Sequence, residues 1–137
     1  MNQPECIERL VNELSKLPGA GKKTAQRYAY AVVEWDKSAA EALASAIVEV
    51  KERVGKCEVC GNYSETPVCD ICLKRDKSVI CVVSYPKDVL AMERVSGFSG
   101  VYHVLGGVIS PIDGVFEDDL NIDGLIKRLD GVREVII

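Results

Sequence analysis

The sequence lacks long apolar runs, internal repeats and low-complexity tracts. Its longest apolar stretches, residues 29–33 and 79–83, are far shorter than the roughly 20 residues of a membrane-spanning helix, so none is predicted. The first nine residues carry charges and contain no apolar segment of the kind found in secretory signals, which predicts that the chain is not exported. With 137 residues, 47% hydrophobic and 28% charged, the composition is that of a globular protein with one or two small domains.

Acidic residues are missing from one stretch of a chain that is acidic overall. The net charge is −4; residues 1–80 contain 12 basic and 12 acidic side chains, whereas residues 81–137 contain five and nine. Residues 15–33 nevertheless contain no acid and four cations: Lys16, Lys22, Lys23 and Arg27. Such a basic patch makes nucleic acid a candidate partner. The alternative is an ordinary solvated helix face.

A phosphate-binding P-loop is absent as well. The pair Gly21-Lys22 would require a glycine at position 16, which is Lys16. The segment also follows a predicted helix, whereas a P-loop follows a strand. Nucleotide hydrolysis of the P-loop type is therefore not predicted.

Residues 17–25, LPGAGKKTA, resemble the hairpin of helix–hairpin–helix DNA-binding motifs. Gly19 and Gly21 would let the backbone turn tightly and approach a phosphate, and the free N–H groups that begin the next helix would bind that phosphate. Three side chains would add positive charge: Lys22, Lys23 and Arg27. Because such contacts involve the DNA backbone and not the bases, the predicted binding is sequence-independent. The alternative is a turn whose glycines only cap helices.

Three helices are predicted in the first part of the chain. Apolar residues at positions 7, 10, 11 and 14 predict a helix over residues 5–16, and helical spacing resumes at Ala25 after the break at residues 18–21. A third helix is predicted to begin at Ser38, which forms a capping box with Glu41. It is expected to bury one apolar stripe and to end at Gly55. The stripe consists of Leu43, Ile47, Val50 and Val54.

Four cysteines form two pairs, separated by eight residues rich in turn formers. The pairs are Cys57 with Cys60 and Cys69 with Cys72. This spacing is typical of a tetrahedral structural zinc site, and four thiolates leave no open position for catalysis. Two disulfides or one redox-active pair are the alternatives, but a cytosolic chain keeps its thiols reduced. A segment this small should need the metal to hold its shape.

The last part of the chain alternates strands and helices. Strands are predicted over residues 79–83, 101–105 and 134–137, with a helix that Pro86 begins and another over residues 122–129. This order predicts a parallel sheet. Because the chain ends on a strand, we expect an incomplete α/β domain. His103, in the middle of a strand, is interpreted as a core or interface residue.

The predicted fold class is α+β in several parts. Residues 1–55 form a helical helix–hairpin–helix DNA-binding head, residues 56–76 form a four-cysteine zinc finger, and residues 77–137 form an incomplete α/β parallel sheet.

The order of these motifs along the chain is typical of one protein family. The hairpin LPGAGKKTAQRYA, the finger and the stretch YHVLGGVISPIDG (residues 102–114) together resemble the RecR family of bacterial recombination mediators, from about residue 7 to the last residue. The resemblance implies a Toprim-like third part and one structural zinc. It implies a cytoplasmic, nucleoid-associated homo-oligomer that binds single- or double-stranded DNA. Such a protein pairs with RecO, helps to load RecA onto strands coated with SSB, and is not an enzyme.

This chain departs from the pattern of Toprim enzymes at two places that matter for catalysis. Toprim enzymes place a glutamate just after the first strand, where this chain has Ser84, and they need an acidic pair after the third strand, which this chain lacks. Magnesium requires several oxygen ligands at one point, and Asp88 with Glu93 does not provide such a site. Two alternatives to this function remain: a magnesium-dependent Toprim-type enzyme and a zinc-knuckle protein-interaction adaptor.

Overall fold

The computed structural model describes residues 2–95 and 97–137, and it divides into two compact units, residues 1–51 and 52–137. The helices and strands of the described ranges are α1 (Glu5–Leu14), α2 (Lys22–Glu34), α3 (Lys37–Arg53), β1 (Gly55–Lys56), β2 (Tyr63–Ser64), α4 (Asp70–Lys74), β3 (Val79–Val83), α5 (Pro86–Arg94), β4 (Val101–Val104), α6 (Ile122–Lys127) and β5 (Glu134–Ile136). Within these ranges no helix combines the length and apolarity needed to cross a bilayer.

The first unit is built on the packing of α1 against α2. Val11 from α1 meets Ala25 and Ala29 from α2, and all three are buried. The two alanines lie four residues apart and so occupy one face of α2. Their small side chains let the two helices approach closely, with Ile7, Leu10 and Leu14 closing the edge of this core. The helical spacing recognised in the sequence therefore predicted this pair correctly.

The third helix differs from its prediction in two respects. It begins at Lys37, and the carbonyl of Asp36 accepts the first-turn N–H groups of Ala39 and Ala40. Ser38 therefore lies inside the first turn, and the predicted capping box is wrong. All residues of α3 are described and none is buried. The predicted buried stripe is thus exposed, because helical periodicity defines an apolar face but does not supply a surface to cover it.

The second unit contains the sheet, in the order β4-β3-β5 with all strands parallel. Ile80 in the central strand lies opposite Val101 on one side and Val135 on the other. This confirms the predicted parallel sheet and its three strands.

Helices cover the central strand on both faces. On one face Cys81 packs with Val89 of α5, and on the other Ile80 packs with Leu125 of α6. Successive residues of a strand point to opposite faces, so a continuous apolar run such as residues 79–83 is typical of a strand buried on both sides.

An ion pair next to the sheet joins three elements of the second unit. The guanidinium of Arg75 donates to both carboxylate oxygens of Glu93, and the hydroxyl of Tyr102 donates to the same carboxylate. The hydrogen bonds from Arg75, supported by the one from Tyr102, hold the pKa of Glu93 below its usual value. Bidentate, charge-assisted hydrogen bonds of this kind are stronger than neutral ones.

Changing Glu93→Gln tests the contribution of this ion pair. The amide keeps the shape but loses the charge, so the free energy of unfolding should fall by about 1 kcal/mol at neutral pH. A depressed pKa stabilises the fold above the unfolded-state pKa, about 4.3 for glutamate, and this contribution is lost as the pH falls through the lower folded-state pKa. Urea unfolding of both proteins should therefore show a gap at neutral pH that closes under acidic conditions. An equal difference in unfolding free energy at both pH values would contradict the prediction. The control is Asp130→Asn, which removes a carboxylate in an exposed turn.

Candidate zinc site and nucleic-acid interface

The structure brings the four predicted cysteines to one point. Their sulfur atoms all lie within 4.8 Å of one another, and all four residues are buried. The Sγ atoms of Cys57 and Cys72 are 3.9 Å apart, and those of Cys60 and Cys69 are 3.7 Å apart. A tetrahedron with Zn–S bonds of about 2.3 Å has sulfur atoms about 3.8 Å apart. A disulfide would require about 2.05 Å, so the quartet fits one structural zinc.

The local backbone explains why these cysteines converge. The carbonyl of Cys57 accepts the N–H of Gly61 at 2.9 Å, closing a tight turn in which Gly61 has a φ of +81°. Two backbone N–H groups point at the Sγ of Cys57: that of Cys60 at 3.5 Å and that of Cys69 at 3.3 Å. Cys69 immediately precedes α4 and Cys72 lies within it, so a short helix positions the second pair.

The four thiols of the quartet shift one another's pKa values. A hydrogen bond from the Cys72 thiol lowers the pKa of Cys60 to about 5, and the same hydrogen bond together with burial raises the pKa of Cys72. Burial also raises the pKa of Cys69. Four thiols this close cannot all become thiolates without a cation to offset their mutual repulsion, and a coordinated dication deprotonates its thiols.

The cysteine knuckle, residues 54–75, is docked on the sheet. The N–H of Val104 in β4 donates to the carbonyl of Cys60 at 2.7 Å. The Nη1 atom of Arg128 lies 2.7 Å from the carbonyl oxygen of Tyr102 and 3.4 Å from that of Val59. A Cβ atom at Gly61 would come within 3.1 Å of the Val104 carbonyl. The turn therefore packs so closely against the strand that a side chain at position 61 would be crowded.

His103 serves this docking through both nitrogens of its ring. It is fully buried; its Nε2 lies 2.7 Å from the Asn121 carbonyl and its Nδ1 lies 3.1 Å from Nη1 of Arg128. A carbonyl only accepts, so Nε2 carries the proton and Nδ1 accepts from the guanidinium. Burial lowers the pKa of His103, which keeps the ring neutral beside Arg128. The sequence predicted a core or interface residue, and the structure places His103 in the core.

The predicted DNA-contact residues form one exposed group in the first unit. Gly19 has a φ of +80°, and Gly21 immediately precedes α2. Lys22, Lys23 and Arg27 all line a shallow pocket of about 490 Å³. The first turn of α2 contains no acid, so nothing in that turn offsets the positive end of the helix.

Two details of this surface go beyond the sequence prediction. Gln26 lines the same pocket, which its helical spacing of four and three residues from Lys22 and Lys23 could have indicated. A Cβ atom at Gly21 would meet no atom of the described chain within 4 Å, and its φ of −69° suits any residue. Packing within the protein therefore does not require glycine at position 21.

The carboxylates considered for magnesium are engaged elsewhere. Asp88 accepts the backbone N–H of Tyr85 at 2.9 Å and so caps α5, while Glu93 pairs with Arg75. Among the described residues, the cysteine quartet is the group of three or more potential metal ligands that lie close together.

Cys60→Ser tests the metal site. Freshly purified wild-type protein should contain one zinc per chain by elemental analysis. The variant should lose zinc affinity by more than the roughly 10–100-fold typical of changes to residues that only orient a metal ligand, and its knuckle should unfold because metal binding is folding free energy there. Cys6→Ser, at an exposed cysteine outside the quartet, should keep its full zinc content. Wild-type protein with well under one zinc per chain, or an unaffected Cys60→Ser variant, would contradict the assignment.

Comparison with known families divides the chain in the same order as its motifs. Residues 7–51 match the helix–hairpin–helix region of RecR, residues 54–73 match the four-cysteine zinc finger domain of RecR, and residues 78–137 match the Toprim domain. The match over residues 54–73 agrees with the zinc geometry of the quartet, and the Toprim match agrees with the parallel sheet.

Curated relatives match over nearly the whole chain. The recombination protein RecR of Enterococcus faecalis is 47% identical over 141 residues, covering 100% of this chain and 71% of the relative. RecR of Rippkaea orientalis is 47% identical and RecR of Leifsonia xyli subsp. xyli is 50% identical, each over 135 residues, 96% of this chain and 68% of the relative. The chain therefore belongs to the RecR family of recombination proteins.

Proposed function

We propose that this protein is a non-catalytic, DNA-binding mediator of recombinational DNA repair. The observation that carries the proposal is the exposed cationic hairpin, in which Lys22, Lys23 and Arg27 line one surface beside a glycine turn. The curated relatives, which are named recombination proteins, support the assignment to recombination and repair.

The chemistry of the hairpin favours DNA phosphate as its ligand. Cationic side chains and the free N–H groups at a helix start both bind phosphate oxygens. Because Gly21 is open on its outer side, a phosphate can approach the backbone without meeting a side chain. Contacts of this kind carry no base information, so the proposed binding is independent of sequence.

The second part of the proposal concerns partners. The protein acts with a RecO-type partner to load a recombinase on single-stranded DNA, as membership of the RecR family suggests. It also self-associates. Two apolar surfaces support self-association: the exposed face of α3, which contains Leu43, Ile47 and Val50, and the exposed residues of the edge strand β5. Exposed apolar faces and strand edges commonly pair with another chain.

The hairpin is tested by reversing its charge. Lys22→Glu with Lys23→Glu should weaken binding to all DNA sequences alike, and the slope of log K against log salt should decrease by roughly one for each phosphate-contacting lysine removed. Fluorescence anisotropy over a salt series gives both quantities. Unchanged affinity and slope would show that the hairpin is only a turn.

Gly21→Val tests whether the DNA phosphate approaches the backbone of the turn, without any change of charge. All charges remain, but the new side chain occupies the open space outside the turn, so affinity should fall while the salt slope stays close to that of the wild type. Circular dichroism and zinc content should match the wild type in both hairpin variants, which separates lost binding from lost folding.

The absence of catalysis is tested separately. Position 84, where Toprim enzymes are expected to place a glutamate, is a serine, and Asp88 caps a helix. Added magnesium or manganese should therefore produce neither DNA cleavage nor primer synthesis. Metal-dependent turnover that copurifies with the protein and disappears in Asp88→Asn would favour the alternative, a Toprim-type enzyme.

A further inference from the structure

A second concave surface lies where the cysteine knuckle meets the sheet. It is a cleft of about 410 Å³, within the range of small-molecule sites; we call it the knuckle–sheet cleft. One wall comes from the knuckle, with Lys56, Gly61 and Tyr63, and the other comes from the carboxyl ends of β3 and β4, with Tyr85 and Leu105. Ligands of open parallel sheets bind at this end of the strands.

Two aromatic rings give this cleft its chemical character. Tyr63 is 61% exposed and Tyr85 is 42% exposed, so neither ring belongs to the hydrophobic core. Both come from short, constrained segments: Tyr63 lies in β2, and Tyr85 immediately precedes α5. Exposed rings held on ordered backbone can stack against a flat ligand at low entropic cost.

The charged side chain that lines the cleft is a cation, that of Lys56. Lys56 lines the cleft, and the Nζ atom of Lys87 lies 5.4 Å from the centroid of the Tyr85 ring. Among the described residues that line the cleft there is no acid. Asp88, the nearest acid along the chain to Tyr85, accepts the Tyr85 N–H and does not line the cleft. The cleft therefore combines flat aromatic faces with ammonium groups, which is the chemistry that recognises single-stranded nucleic acid.

We propose that the knuckle–sheet cleft binds a nucleotide of single-stranded DNA. A base stacks on Tyr63 or Tyr85, and Lys56 and Lys87 contact the adjoining phosphates. The inference rests on the proposed function in one respect, that DNA is the ligand, but it uses none of the hairpin residues. In a duplex the faces of the bases are covered by their neighbours, so this cleft discriminates single strands from duplexes, whereas the hairpin binds the phosphates of both.

The docking of the knuckle keeps the two walls in place. A side chain at position 61 would crowd the Val104 carbonyl, and the carbonyl of Cys60 accepts the Val104 N–H. Tyr63 follows this turn by two residues, so its position depends on the same contacts that seat the knuckle. Because Tyr63 does not belong to the cysteine quartet, changing it should leave the zinc site intact.

The experiment compares Tyr63→Ala and Tyr85→Ala with the wild type in the full chain. Each variant should bind a labelled oligothymidylate about 5- to 150-fold more weakly, the range found when a stacking ring is removed. Affinity for a duplex of the same length should stay within about twofold, because phosphate contacts remain. A 2-aminopurine base in the single strand should lose fluorescence on stacking in the wild type and lose less of it in the alanine variants.

Matched variants separate stacking from folding. Tyr63→Phe and Tyr85→Phe keep the ring and should retain wild-type single-strand affinity, and Phe116→Ala, an equally exposed ring outside the cleft, should have no effect. Free thymidine monophosphate should compete far less well than the oligomer. Competition as strong as that of the oligomer would overturn the assignment to a strand in favour of a free nucleotide.

The outcomes for the two DNA surfaces are distinguishable. If the tyrosine variants bind single strands like the wild type, or lose duplex affinity equally, the cleft proposal is overturned whatever the hairpin does. If the double lysine reversal leaves duplex binding unchanged while the tyrosine variants lose single-strand binding, the hairpin fails and the cleft stands.

Discussion

The convergence of four cysteine sulfur atoms on one point is the constraint on which the second unit depends. Around that point the chain has few apolar residues, so the cysteines themselves form a buried cluster with Val59, Val68 and Ile71 at its edge. A metal replaces the large core that so short a segment cannot build. Once closed, the knuckle presents the Cys60 carbonyl to β4 and the Val59 carbonyl to Arg128. The zinc site therefore orders the junction with the sheet as well as the knuckle.

The parts of the fold that local chemistry determines were predictable from the sequence. The cysteine spacing predicted the quartet, Pro86 predicted the start of α5, and the apolar run at residues 79–83 predicted a strand covered on both faces. In each case the signal and its cause lie within a few residues of each other. The hairpin belongs to the same class, because its glycines and lysines are contiguous in the chain.

What the sequence could not show depends on distant residues. The α3 stripe was expected to be buried, but periodicity cannot reveal whether another surface covers an apolar face. The first-turn partner of α3 is Asp36 and not Ser38, a shift of two residues that propensity does not resolve. The cleft was missed because Tyr85 meets Lys56 and Tyr63, which pair across β1 and β2, only after the knuckle docks on the sheet. The distance along the chain between these residues leaves no motif.

The charge at the carboxyl ends of parallel strands decides which ligand such a sheet can accept. A divalent cation there needs several carboxylates, yet position 84 is serine, Asp88 caps a helix and Glu93 is paired with Arg75. None of the described residues that line the cleft is acidic, so its lining exerts no carboxylate repulsion on a phosphate. Lys56 and Lys87 then make this end of the sheet attractive to anions. On this proposal, the carboxyl end of a Toprim-type sheet carries a surface that binds a single strand of DNA.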